Sequence, residues 1–249
     1  MTTLYIAGPT GHSLKLLIAI AEKGLALDVR TVDALDLEQH RDPLSQFTPT
    51  GSLPVLVDGD FVLTESSIIN EYLDETGEGP ALMPESPRDR WRARTWFKFV
   101  NEDLAPAVSL VAWREWGLPT LSAAKCEQLR EAAEAINALE RRVHWQQALD
   151  GFLPAQQETA DTKIAAFLDL AEQKLAEADY LAGTHFSLAD VDAWPFLEPL
   201  RRLRAELIDA RPRTRAWIER VLARPAVAAA YSGYADRLWV PGPELIRWG

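Results

Sequence analysis

Three short segments carry residues whose type and spacing could do chemistry. In Gly8-Pro9-Thr10-Gly11-His12-Ser13-Leu14 a hydroxyl stands at the first turn of a helix that follows a buried strand. Helix N-termini present free N–H groups and partial positive charge, so a thiolate placed there is stabilised, and Ser13 could give it one further donor. From this segment alone the bland alternative, Ser13 as an N-cap, is the preferred reading. In Gly51-Ser52-Leu53-Pro54-Val55 a proline opens a buried strand, where it has no ladder donor to lose. A cis bond before Pro54 would turn the backbone of Leu53 outward for an extended peptide to pair with, although the base rate for X-Pro is trans. In Thr64-Glu65-Ser66-Ser67 the N–H and hydroxyl of Ser66 can take a carboxylate while Glu65 pairs with an ammonium. That is the complementary set for a free α-amino acid head group, and it is equally a helix cap with an acidic start.

The sulfur, if sulfur chemistry is done, has to come from a ligand. Cys126 is the single cysteine and lies in the helical pattern KCEQLREAAEAINALERR, which excludes a disulfide framework and a CxxC couple and leaves it as a small packed residue. His144 and His185 lack spaced acidic or histidine companions, so no metal site is expected. A net charge of −11 argues against a nucleic-acid backbone as partner. No stretch is apolar and long enough to cross a membrane and the N-terminus lacks a signal-peptide layout, so a cytoplasmic protein is expected.

The elements that must position these groups are readable from periodicity. Thr3 to Ile6 reads as a strand, Leu14 to Glu22 as a helix stopped by Lys23-Gly24, and Val29 to Val32 as a second, parallel strand. Ala34 to Pro49 is irregular, with one weak helical turn at most. Pro54 to Val57 and Phe61 to Leu63 form a hairpin about Asp58-Gly59, and Ser66 to Glu75 a closing helix. This βαβ-ββα order is that of a thioredoxin-like α/β domain, placed at residues 1–80. After the linker MPESPRD, residues 88–249 read as an all-helical domain that holds all nine tryptophans. Asp150 to Thr159 reads as a break between two long helices. Ser109, Trp113 and Trp116 fall on one long helix at spacings that can share a face, either as the wall of an aromatic pocket or as core.

The element order, with the motifs SLK, TPTGSLPVL and TESSIINEYL, resembles the glutathione S-transferases. Leu181-Ala182-Gly183 and Phe186-Ser187-Leu188-Ala189-Asp190 are similar to that family's N-capping box, with Ser187 as cap and Asp190 three residues on. The resemblance implies glutathione as co-substrate, with Ser13 at the sulfur, Leu53 and Pro54 at the cysteinyl backbone and Glu65 and Ser66 at the γ-glutamyl end. It also implies a homodimer. No tyrosine and no cysteine stands at the first turn of the first helix, which points to a serine-using branch rather than a tyrosine-using or thiol-exchanging one.

Within the family, SLKLL, EQHRD, TESSIINEYLDE and above all WFKFVNEDLAPAVSLVAWREWG resemble the bacterial glutathione-dependent β-aryl-ether-cleaving enzymes. The resemblance implies attack of the glutathione thiolate on a carbon α to a ketone, with a phenolate leaving, and Gln39 and His40 near the glycyl carboxylate. His40 as a lone surface histidine is an equal alternative. His12 stands where that branch has an asparagine, which makes it a second candidate at the thiolate. A glutathione-using isomerase lacks its SSxCS-like run here, and a non-catalytic ligand-binding relative would have no use for a complete tripeptide site.

Overall fold

The structure is a computed structural model and describes residues 2–8 and 10–233. Trp239 and Trp248, and Pro9 of the first motif, lie outside the described residues. Strand β1 (Thr3–Ala7) runs into α1 (Gly11–Lys23), and β2 (Asp28–Val32) returns parallel to β1 with Thr3 opposite Asp28. β3 (Val55–Asp58) pairs antiparallel with both β1 and β4 (Phe61–Thr64), so the sheet order is β2-β1-β3-β4. Helix α1 ends where the sequence says it should, with Gly24 in the left-handed region at φ 68°. Helix α3 (Ser66–Thr76) packs beside α1 over Leu4, Ile6, Leu16, Leu56, Ile69 and Leu73. The segment read as irregular holds more structure than one weak turn: 3-10 turns at Ala34–Asp36 and Glu38–His40 and the short α2 (Leu44–Phe47), whose Leu44 packs on Val32, Leu53 and Val55.

The linker is tied down by a buried pair. Asp74 at the end of α3 accepts from the backbone N–H groups of Leu82 (2.8 Å) and Met83 (2.9 Å) and pairs with Lys23 at 3.0 Å. From Pro87 the chain is helical through residue 120 as α4 (Pro87–Phe99), α5 (Ala105–Ala112) and α6 (Leu118–Thr120), joined by π-helical turns at Val100–Leu104 and Trp113–Gly117. Pro106 and Pro119 follow these turns two residues on. A proline lacks the N–H that the α-register needs, and a wider turn absorbs the gap without ending the helix.

The helical half continues with α7 (Ala123–Glu134), α8 (Leu139–Leu149), α9 (Pro154–Lys174), α10 (Leu188–Leu203), α11 (Ala205–Asp209), α12 (Pro212–Leu222) and α13 (Pro225–Ser232). The break expected over Asp150–Thr159 is shorter: Gly151 and Phe152 turn the chain at positive φ and α9 starts at once at Pro154, where proline suits a first helical turn. The N-capping box forms as read, Asp190 accepting from the Ser187 N–H at 2.9 Å. Trp113, Trp145, Trp194 and Trp217 are fully buried in the core of this half. Helix α1 lies at the seam, packed against α3 on its own side and α10 and α13 on the other. Among the described residues no helix is long and apolar enough to cross a membrane.

Candidate active site

The site is built around the first turn of α1. Thr10, not Ser13, is the N-cap: its hydroxyl oxygen accepts from the Ser13 N–H at 3.2 Å. The Ser13 side chain is 1% exposed and donates to the Ala7 carbonyl at 2.5 Å, with Thr10 Oγ1 at 2.9 Å. Its proton therefore points into the β1–α1 turn, which it ties together. The half-buried His12 is the polar side chain of this turn that reaches across to α3, its Nδ1 lying 3.1 Å from Ser66 Oγ.

Opposite this turn lie the two other segments. The Leu53–Pro54 peptide is cis. Leu53 stands just outside the ladder, whose pairing begins with Val55 against Tyr5 and Thr64. Glu65 is exposed and sits at φ 69°, ψ 105°, a conformation that costs a non-glycine residue free energy and that clusters at ligand sites. It precedes α3, so Ser66 opens that helix and its N-terminal partial charge. No glycine marks this strain in the sequence, which is why pattern reading missed it.

On the far side, Gln39 is fully buried, and neither its Nε2 nor its Oε1 meets a partner among the described residues; the same holds for Thr48 Oγ1. The His40 ring fills the space a Cβ on Gly51 would take, at 2.1 Å from its Cε1, so the loop before Leu53 closes on His40 only because residue 51 is glycine. The helical half reaches this loop and the turn before Gln39: Arg141 of α8 donates to Ser52 Oγ at 2.8 Å, and Lys125 of α7 pairs with Asp36 of the Ala34–Asp36 turn at 2.6 Å.

Residues 11–76 match the family model described as Glutathione S-transferase, N-terminal domain, and residues 121–225 the one described as Glutathione S-transferase, C-terminal domain. Protein LigF of Sphingobium sp. (strain NBRC 103272 / SYK-6) is 32% identical over 235 residues, 90% of each chain. This chain belongs to the glutathione S-transferase family. Glutathione S-transferase 3 of Zea mays is 30% identical over 86% of this chain and 85% of its own length. The crystal structure of the β-etherase LigF superposes with a TM-score of 0.84 at 30% identity, covering 93% of this chain and 99% of that one. The chain is thus a glutathione-dependent transferase with the thioredoxin-like and all-helical halves of its family.

The residues expected at the transferase's second substrate are placed unequally. Trp113 is fully buried, donates its indole N–H to the Ala148 carbonyl at 2.9 Å and meets Trp145 edge to face, so it packs the core rather than walling an open pocket. Ser109 is buried on α5, and Trp116 is half-buried against the same core. His144 is held neutral, burial and the nearby Arg141 pushing it down to about 4. No group of three potential metal ligands occurs among the described residues.

One feature of the transferase had no sequence signal beyond helical spacing. Lys15 of α1 and Asp192 of α10, 0% and 1% exposed, pair at 2.8 Å across the seam between the halves. Ser67 donates to Asp192 at 2.8 Å, and the ammonium of Lys15 also donates to Ser67 (3.0 Å) and Asn101 (3.2 Å). Asn101 lies in the first π-helical turn and donates to Ser67 at 2.7 Å. Each member is satisfied, as a buried polar cluster must be.

Proposed function

We propose that this transferase cleaves β-aryl ethers of α-keto aromatics, glutathione displacing a phenol. The observation that carries the reading is the likeness to the β-etherase LigF over nine-tenths of both chains. Glutathione lies along the mouth of the first half. Ser66 at the start of α3 takes the γ-glutamyl carboxylate and Glu65 the ammonium, Leu53 beside Pro54 pairs with the cysteinyl backbone, and Gln39 and His40 receive the glycyl end. The start of α1 lowers the pKa of the thiol, whose proton passes to solvent. The thiolate attacks the carbon bearing the aryloxy group, the C–S bond forming as the C–O bond breaks, and the phenolate leaves with the electron pair and takes a proton. Holding the two reactants in line supplies much of the acceleration, and no protein nucleophile is needed. With Ser13 turned toward Ala7, His12 is the side chain of this turn better placed to act near the sulfur, and Ser13 supports it from beneath.

Trp116 and Ser109, rather than Trp113, border the aromatic substrate. The chain works as a homodimer, and its exposed large apolar side chains Phe61 of β4, Ile68 of α3 and Trp91 of α4 are the candidates for the contact; Trp91 is 68% exposed, far more than the other described tryptophans. The deciding assay incubates the enzyme with glutathione and each enantiomer of a β-aryloxy α-keto aromatic, and follows phenol and thioether by chromatography and mass spectrometry. Release from at least one enantiomer is expected. If neither reacts while simple aryl halides are conjugated, the ether-cleaving reading is lost and the transferase assignment stands.

A further inference from the structure

We propose that Phe196, on the helical half, is a positioning residue for the glutathione site: its ring holds the His12 imidazole against Ser66. Two pairs one helical turn apart face each other across the seam. Gly11 and Lys15 lie on α1, and Phe196 and Asp192 on α10. The Phe196 ring occupies the space above Gly11 so closely that a Cβ there would stand 2.3 Å from Phe196 Cε1. From this position it meets the His12 ring edge to face, with centroids 5.0 Å apart and planes at 69°, while His12 Nδ1 lies 3.1 Å from Ser66 Oγ. An edge contact fixes a ring's orientation as well as its location.

The ring itself is fixed by the ion pair one turn below it. A fully buried pair such as Lys15–Asp192 gives little net stability, because desolvation offsets the attraction, but a wrong register would strand both charges. The pair therefore dictates how α10 docks on α1, with the Lys15 ammonium 5.9 Å from the Phe196 centroid. Ser67, next to Ser66, donates to the same Asp192. Both sides of the His12–Ser66 contact are thus referenced to one residue of the helical half, and the geometry of that half is written into the glutathione site.

This inference rests on His12 and Ser66 belonging to the glutathione site, and a double-mutant cycle separates the two claims. His12→Ala, Phe196→Leu and the double variant are assayed for kcat/KM toward glutathione and, by calorimetry, for glutathione binding, with the thermal midpoint as a check on folding. Phe196→Leu should lower kcat/KM about tenfold, the rate equivalent of one aromatic edge contact, and should cost nothing further in the His12→Ala background. An equal loss in both backgrounds overturns the positioning role and leaves the site reading intact. If His12→Ala changes neither binding nor turnover, the role of His12 in the site falls, and the positioning role with it. Phe196→Met, whose unbranched and adaptable side chain fills the gap without a ring, serves if the leucine variant folds poorly. It should show the same dependence on His12, and the His12 ring-proton resonances should move in its NMR spectrum.

Discussion

Gln39 and Asp190 are both fully buried polar side chains, one in each half, and they are treated in opposite ways. Asp190 accepts from the N–H groups of Leu181 (3.0 Å) and Ser187 (2.9 Å), from the Trp217 indole (2.8 Å) and from the Ser187 hydroxyl (3.3 Å). Burial pushes its carboxyl up to about 6 against the pull of those donors, which leaves it charged at neutral pH. Gln39 has donors and an acceptor and satisfies none of them among the described residues. Folding tolerates an unpaired buried amide only at a cost. The contrast separates a polar group that finishes the fold from one that the fold leaves unpaired, as its place in the proposed glutathione site would require.

The largest effect should come from dismantling the satisfied site. Asp190→Ala leaves four donors facing an apolar gap and should destabilise the protein by on the order of 4 kcal/mol. A urea midpoint within error of the parent would show that the capping box is ornamental.

His144 is the intermediate case, a half-buried imidazole in the helical half whose Nε2 has no partner among the described residues. Its folded pKa lies near 4, below the ordinary 6.5, so the unfolded chain takes up a proton first as pH falls. Its stability contribution is complete above pH 6.5 and is lost toward pH 4, up to about 3 kcal/mol. Asp190 works with the opposite sign between its folded value of about 6 and the ordinary 3.8, and offsets part of this loss. His144→Leu should therefore lose less stability than the parent between pH 7.5 and 4.5, as chemical denaturation at the two pH values would reveal. Parallel behaviour of the two proteins would mean that the imidazole titrates in the fold as it does in the unfolded chain.

Ser13→Ala tests a satisfied hydroxyl in the turn proposed to hold the reacting sulfur. Losing the bond to Ala7 should cost about 1 to 2 kcal/mol of stability and less turnover than His12→Ala costs. Full stability with abolished turnover would reassign the hydroxyl to the thiolate.

The smallest effect on stability, and the most telling, is expected from Gln39→Leu. Removing an amide that has no partner should leave the ligand-free protein as stable or more so by about 1 kcal/mol, while glutathione affinity falls. Strong destabilisation in the absence of glutathione would mean that Gln39 is a structural group like Asp190.

Legibility in the sequence followed the same division. The capping box, the Asp58-Gly59 hairpin and the Gly24 stop were readable because each is a local rule between residues a few positions apart. The three segments proposed to hold glutathione were readable as strand ends and helix starts, yet the placement of their side chains was not. Whether Thr10 or Ser13 caps α1 depends on where Ala7 lies, and Glu65 takes its strained backbone without a glycine to announce it. Trp113 could be wall or core until the neighbouring Trp145 and Ala148 were placed beside it. Lys15 and Asp192 were invisible because a charged residue on a helix reads as solvated unless a distant partner is known. The π-helical turns escaped because a missing proline N–H signals a kink, and only packing decides that the helix absorbs it.

The distribution of tryptophan has an optical consequence. Every tryptophan follows the linker, and four of the described ones are fully buried in the helical half, so fluorescence excited selectively at tryptophan reports from beyond the linker while circular dichroism reports both halves. Heating the protein while recording both signals turns the seam into a measurable quantity. Coincident curves mean that the halves melt as one unit, and a fluorescence transition displaced from the dichroism transition measures how loosely Lys15 and Asp192 hold them together.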